Sequence, residues 1–166
     1  MLFSYNWLQS FFKKKLPKPE KLAELLTMYF AGVEEVKKEG KDFILDIDVR
    51  PNRAGDCFSH LGIVREIAAI TGLIYENPTS IIKEDKEIKA KDFIKVEVKN
   101  RAACPRYTAR VITGVKVGFS PKWMRERLKA CGLRLINTVG DIANYVMLET
   151  GQPLHAFDGE KLEGQK

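Results

Sequence analysis

The stretch from Phe43 to Gly72 reads FILDIDVRPNRAGDCFSHLGIVREIAAITG and decides the first part of the fold. Apolar and acidic residues alternate after Ile44, which predicts a half-buried strand over residues 43–49. Ser59 is a favourable N-cap and Gly72 a favourable end for a helix between them. The apolar residues of this helix recur at helical spacing and predict its buried stripe: Ile63, Val64, Ile67 and Ile70.

Two helices and a strand are predicted before that stretch. Ser4 can cap a short amphipathic helix that buries Trp7, Leu8, Phe11 and Phe12. Pro19 suits the first position of a second helix that ends at Gly32 and buries Leu22, Leu25, Leu26 and Tyr29. Residues 33–36 predict a strand. The order helix, helix, strand, strand, helix predicts a small N-terminal α/β domain, with a core shared by Trp7, Leu26, Ile47 and Ile67.

A second part of the chain is predicted after residue 76. Residues 77–91 are rich in charge and contain Asn77-Pro78, which indicates a linker. Alternation predicts a strand over residues 93–99, and β-branched residues predict one or two more over 107–117. Ser120-Pro121 is expected to begin a helix that ends at Gly132 and buries Met124, Leu128 and Cys131. A last helix is expected from Thr138, in a capping-box-like sequence, to Glu149. The overall class is α+β, divided into residues 1–76, 77–91 and 92–166.

Basic residues concentrate in one stretch. The 166 residues have a net charge of +6, and between Lys99 and Arg134 ten basic residues accompany a single acid, Glu126. Such a cluster is typical of a surface that binds a phosphate backbone. A solvated cationic face without a partner is the alternative. We take as candidates for RNA contact Arg106, Arg110, Lys122, Arg125 and Arg134.

Composition argues against several classes of protein. The apolar runs are far shorter than the roughly 20 residues of a membrane helix, and the first residues lack the pattern of a secretory signal. We therefore expect an intracellular, cytoplasmic protein. The three cysteines Cys57, Cys104 and Cys131 have no C-x-x-C spacing, and with only two histidines we expect no metal site. Phosphate-binding glycine loops and common catalytic motifs are absent from the sequence.

Two segments carry polar residues in patterns that suggest a structural or binding role. Residues 50–56 place two arginines between a strand and a helix, where Arg53 is expected to pair with an acid and Ser59 or Asp56 to cap the helix. Residues 138–158 mix polar side chains among apolar ones, as the wall of a pocket does. A histidine there, His155, is expected in a short extended segment after Pro153.

Many motifs in order along the chain resemble the N-terminal part of one protein family, the β subunit of bacterial-type phenylalanyl-tRNA synthetase. They are Asn6-Trp7-Leu8, residues 48–53, residues 62–69, Arg106-Tyr107, residues 120–123, residues 132–134, residues 144–149 and residues 151–158. The last of these strings is the most specific. The resemblance covers nearly the whole chain.

The resemblance implies a fold and a function. Residues 1–76 would be the N-terminal structural domain, and residues 92–166 the first half of an editing domain that hydrolyses mischarged tyrosyl-tRNA(Phe). The partners implied are tRNA(Phe) and an α subunit, in a tetramer of two α and two β chains; no DNA and no membrane partner is expected. This segment would need no cofactor, whereas the whole enzyme uses ATP and Mg²⁺. The implied pocket residues are Asn144, Gln152 and His155, without a catalytic residue assigned.

The chain departs from the family in several places. A short turn, residues 37–41, stands where the family usually inserts an oligonucleotide-binding domain. The loop of residues 52–57 is one residue longer than the common form, and Ala143 stands where a threonine is frequent. We expect a fragment or reduced relative, which by itself does not edit. Two alternatives are a free-standing protein that edits charged tRNA in trans and a non-enzymatic RNA-binding or assembly module.

Overall fold

The computed structural model describes residues 1–162, which contain helices and one sheet. The strands are β1 (Leu2–Ser4), β2 (Val33–Glu39) and β3 (Asp42–Ile47). The α-helices are α1 (Tyr5–Gln9), α2 (Pro19–Tyr29), α3 (Ala54–Cys57), α4 (His60–Thr71), α5 (Lys122–Ala130) and α6 (Thr138–Thr150). Short 3₁₀ turns lie at Pro51–Arg53, Ala90–Asp92 and Gly159–Lys161. This mixture confirms the α+β class.

The three strands form an antiparallel sheet in the order β1-β3-β2. Strands β2 and β3 form a hairpin that turns at Gly40, whose φ of 59° favours glycine. The predicted turn over residues 37–41 is too long, because β2 continues to Glu39, which pairs with Asp42. The hairpin therefore turns within two residues.

The helix ends follow the predicted capping in most places. The Ser4 side chain accepts a hydrogen bond from the Trp7 N–H at the start of α1, and Ser59 accepts one from Gly62 at the start of α4. Gly72 ends α4 in the left-handed conformation. The predicted cap of α6 is wrong: the side chain of Asn137, one residue before Thr138, accepts the two N–H bonds.

Contacts divide the chain into two compact units. The first comprises Met1–Thr79 with Gly118–His155, and the second Ser80–Val117 with the segment from Ala156 onward. The helices α5 and α6 thus pack with the N-terminal residues. The division into an N-terminal domain, a linker and half of an editing domain remains a prediction about the family's domains.

One apolar core organises the first unit. Trp7, Leu26, Ile47 and Ile67 are fully buried in it, as predicted. Helices α5 and α6 add to the same core with Met124, Leu128, Tyr145 and Leu148. The predicted burial of Tyr29 is wrong: the helix ends at this residue and leaves 66% of the side chain exposed.

The second unit lacks the strands that the sequence predicts over residues 93–99 and 107–117. Within the described part of that unit, the only regular elements are the two 3₁₀ turns at residues 90–92 and 159–161. Several of its β-branched residues are well exposed, among them Ile112 by 76% and Val117 by 65%. An isolated hairpin is marginal in water without a covered apolar face, and none of the described residues of this unit is buried and able to cover one.

Candidate functional site

A buried histidine lies at the centre of the first unit. His60 begins α4 and is fully buried, with its Nδ1 atom 3.0 Å from the carbonyl oxygen of Leu148 on α6. The N–H of Ser4 donates to His60 Nε2 at 3.4 Å. An acceptor role for Nε2 places the proton on Nδ1, which donates to Leu148. The imidazole is therefore neutral and joins β1, α4 and α6.

The surroundings of His60 oppose a positive charge. Burial lowers the pKa of His60 to about 3, against a smaller opposing effect of the bond to Leu148 and with further lowering by the positive charge of Arg127. The thiol of Cys131 lies 3.8 Å from Nε2, and burial raises its pKa to about 12. Both groups are neutral at pH 7, so the pair has a packing role rather than that of a thiolate nucleophile.

Three aromatic rings and one guanidinium join α1, α5 and α6. The rings of Trp7 and Tyr145 stack with 4.5 Å between centroids, and Trp123 meets Tyr145 edge to face at 5.3 Å. The Cζ atom of Arg127 lies 5.2 Å from the Trp7 centroid and 5.7 Å from that of Trp123. This geometry is favourable for cation–π attraction.

Hydrogen bonds complete the Arg127 cluster. Arg127 Nη1 donates to the Tyr145 hydroxyl at 2.6 Å, and Nη2 donates to Ser10 Oγ at 3.2 Å. The Tyr145 hydroxyl in turn donates to Glu149 at 3.0 Å. Burial raises the pKa of Tyr145 to about 12, although the Arg127 charge opposes the rise. The cluster ties α6 to α1, and therefore supports the helix on which Asn144 lies.

A second arginine organises the loop of residues 50–57. Arg53 Nη2 donates to Asp56 at 2.7 Å, to Glu66 at 2.7 Å and to the Cys57 sulfur at 3.1 Å. The guanidinium also lies 5.2 Å from the Phe30 ring centroid. The predicted ion pair of Arg53 is confirmed, and the bonds to Arg53 lower the pKa of Asp56.

The same loop contains a group of potential metal ligands. Asp56, Cys57 and Glu66 place one ligand atom each within 4.8 Å of the others. The Arg53 guanidinium binds all three, and burial raises the pKa of the Cys57 thiol to about 11. A divalent cation such as Mg²⁺ would have to displace this internal guanidinium, so these residues do not fit such an ion.

A shallow cleft of about 440 Å³ lies beside that loop. It is lined by Thr27 at the end of α2, by Phe30 directly after that helix, and by four polar residues further along the chain: Asp48, Arg50, Asn52 and Arg53. A second cleft, of about 220 Å³, lies between the sheet and the end of α5 and includes Lys37, Lys129 and Gly132. Neither cleft includes Asn144, Gln152 or His155.

The predicted pocket residues follow one another along the end of the first unit. Asn144 is half-buried on α6, whereas Gln152 and His155 are exposed after the helix ends at Gly151. The Gln152 N–H makes a long hydrogen bond of 3.3 Å to Thr150 Oγ1. Their assembly into an editing pocket remains a prediction.

The predicted RNA contacts divide between the two units. Arg106 and Arg110 are exposed in the second unit, where Arg110 pairs with Glu84. In the first unit Lys122 and Arg134 are exposed, and Lys122 lies 3.8 Å from Glu126. Arg125 is only half-exposed, and its Nε atom is buried without a hydrogen-bond partner among the described residues. RNA binding by these five residues remains a prediction.

Neither His60 nor the Arg127 cluster was predicted from the sequence. His60 could have been found, because it precedes Ile63, Val64 and Ile67 by three, four and seven residues and so continues the buried stripe of α4. Asp141 could have been found in the same way, since it precedes Tyr145 and Leu148 by four and seven residues. It is buried and accepts bonds from Ser120 Oγ at 2.5 Å and from the Ile136 N–H at 2.8 Å.

Residues 103–166 match the protein family described as the B3/4 domain. The β subunit of phenylalanine–tRNA ligase from Rhodopirellula baltica is 44% identical over 162 residues, which is 98% of this chain and 23% of that protein. The corresponding subunit of Moorella thermoacetica is 48% identical over 76% of the chain and 15% of its own length. That of Syntrophus aciditrophicus is 45% identical over 89% of the chain and 17% of its own length.

The chain thus spans less than a quarter of the length of the curated relatives it matches. The comparison confirms the resemblance to the phenylalanine–tRNA ligase β-subunit family. Among the described residues, no helix has both the length and the apolar character needed to cross a membrane.

Proposed function

We propose that the chain acts as part of a phenylalanine–tRNA ligase β subunit and supports the ATP- and Mg²⁺-dependent attachment of phenylalanine to tRNA(Phe). The observation that carries this proposal is the 44% identity over 98% of the chain. The partners would be an α subunit, in a tetramer of two α and two β chains, and tRNA(Phe). A cytoplasmic site of action follows from that substrate.

The second part of the proposal is hydrolytic editing. An apolar pocket rejects a substrate that only adds a hydroxyl by about a hundredfold, so errors with tyrosine require a second site. The match of residues 103–166 to the B3/4 domain supports a role for these residues in that site. In the reaction, water attacks the ester carbonyl of tyrosyl-tRNA(Phe), the bond to the ribose oxygen breaks, and tyrosine and tRNA are released.

Three residues are proposed to contribute to this editing step. Asn144 lies on a helix that Tyr145 and Arg127 hold in place, and it would offer an amide to the aminoacyl group. Gln152 and His155 follow the end of the same helix, where they are accessible to a ligand. We assign to His155 the positioning of water or of the tRNA terminus, a role for which an imidazole is suited because its ring nitrogens form hydrogen bonds.

The test uses the β polypeptide that carries this chain, assembled with its α subunit. His155→Ala should slow the release of tyrosine from tyrosyl-tRNA(Phe) and leave phenylalanine charging nearly unchanged. Glu160→Gln, an exposed neighbour, is the control and should change neither rate. Loss of charging without loss of editing would make His155 a structural residue, and failure of the wild-type assembly to charge tRNA(Phe) would overturn the subunit role.

A further inference from the structure

A lysine-rich loop joins α1 to α2. Lys13, Lys14, Lys15 and Lys18 are all exposed in it, whereas Leu16 is buried. The two residues before Lys13, at positions 11 and 12, are buried phenylalanines. The loop therefore presents ammonium groups to solvent without an exposed large apolar side chain between residues 11 and 16.

Little of this positive charge is neutralised. Lys13 pairs with Glu76 at 2.5 Å, an exposed pair that is screened by solvent. Within residues 1–162, no carboxylate lies within 4.0 Å of the amines of Lys14, Lys15 and Lys18. Three neighbouring cations thus remain available to an anionic partner.

The backbone of the loop is held from inside by two side chains of α1. Gln9 Nε2 donates to the carbonyl oxygen of Lys14 at 3.0 Å, while Gln9 Oε1 accepts a bond from the Leu16 N–H at 2.8 Å. The Tyr5 hydroxyl donates to the carbonyl oxygen of Pro17 at 2.9 Å. Because the loop is already ordered, a ligand would not have to order its backbone.

The β2–β3 hairpin offers a contrast within the same unit. Lys37 and Lys38 are exposed there, as is Lys41 in the turn. Glu34, Glu35 and Glu39 lie on the same strand as the first two lysines. The hairpin therefore carries three exposed lysines, as many as the loop has without a carboxylate partner, but the hairpin lysines have acidic neighbours.

We propose that residues 13–18 form a binding surface for the phosphate backbone of RNA, outside the five contact positions predicted above. Lysine ammonium groups bind phosphate as point charges, and the surface offers no apolar wedge for a lipid bilayer. The choice of RNA rests on the proposed function, in which the subunit handles tRNA.

The first experiment measures fluorescence anisotropy of a labelled RNA hairpin with the 166-residue chain. The loop variant carries Lys14→Gln, Lys15→Gln and Lys18→Gln, and the control carries Lys37→Gln, Lys38→Gln and Lys41→Gln. At 50 mM salt the loop variant should bind about tenfold more weakly or worse, and its log–log salt slope should fall in magnitude by about 2 to 3. The control should change affinity less than twofold. Circular dichroism melts verify that both variants fold.

Three outcomes would overturn the proposal: equal affinity of the loop variant and the wild type, an equal loss in both variants, or wild-type binding to phosphatidylserine vesicles but not to RNA. A charging assay on the assembled α–β enzyme separates this surface from the proposed function. The loop variant should raise the KM for tRNA(Phe) and leave kcat unchanged. If the wild-type enzyme does not charge tRNA(Phe), the proposed function fails. The anisotropy titration with the labelled RNA still tests whether residues 13–18 bind RNA.

Discussion

The indole of Trp7 lies flat on the imidazole of His60, with 3.8 Å between ring centroids and 24° between planes. Both side chains are fully buried. The stack explains why a polar residue is accommodated in the core: the ring covers apolar surface, while its two nitrogens bond to Leu148 and Ser4. A protonated imidazole would lose the bond from the Ser4 N–H, since both nitrogens would then be donors.

The burial of His60 predicts a loss of stability in mild acid. Its pKa falls from 6.5 in the unfolded chain to about 3 in the folded one, so the unfolded state takes up the proton first. The stability is present above pH 6.5 and is lost as the pH falls toward 3. Between pH 6.5 and 5 the unfolding free energy should fall by about 2 kcal/mol. Urea unfolding at several pH values measures it, and His60→Gln should flatten the dependence in this range; an equally steep variant would contradict the assignment.

Truncation of Trp7 tests the core directly. Trp7→Ala should cost about 3–5 kcal/mol of unfolding free energy, because a fully buried ring leaves a cavity when removed. Trp123→Ala is the control, since that indole is 50% exposed, and it should cost less than half as much. Equal losses in the two variants would show that Trp7 does not occupy the centre of the core.

Much of the first unit could be predicted from local patterns. The caps at Ser4 and Ser59 and the end at Gly72 depend on residues a few positions apart, and all three were correct. The strand predictions over residues 93–99 and 107–117 were wrong, because alternation indicates a strand only where another segment pairs with it and covers its apolar face. Such a partner is a tertiary property.

The candidate site was harder to predict than the fold. Arg127 bonds to Ser10, 117 residues away in the chain, and no local spacing indicates such a contact. Periodicity explains the burial of His60 but not its partners, since Leu148 contributes a backbone oxygen. The pocket residues Asn144, Gln152 and His155 were inferred from motif resemblance, which indicates a role without providing geometry.

Replacement of Arg127 by lysine separates charge from shape. Lysine keeps the positive charge, but it lacks the planar fork that reaches Tyr145 and Ser10 while lying against two indoles. Arg127→Lys should lower the unfolding free energy by about 1–3 kcal/mol. Lys129→Met, on the same helix and exposed, should stay within about 0.5 kcal/mol of the wild type. If both variants unfold at the same urea concentration as the wild type, the guanidinium cluster contributes no stability.

Replacement by alanine should change the unfolding free energy in opposite directions at two glycines, Gly62 in α4 and Gly55 in α3. At Gly62 a Cβ atom would lie 2.1 Å from the Asp56 carbonyl oxygen and 2.7 Å from the Cys57 Cα atom. Because both are backbone atoms, the loop of residues 50–57 must move away from α4, and Gly62→Ala should cost about 3 kcal/mol or more. At Gly55, within α3, nothing lies within 4 Å of the added atom. Gly55→Ala should therefore stabilise the protein by about 0.5–1 kcal/mol through the reduced entropy of the unfolded chain. Urea unfolding midpoints give both values if the dependence of the unfolding free energy on urea concentration is unchanged. A Gly62→Ala protein as stable as the wild type would contradict the close contact between α4 and the loop of residues 50–57.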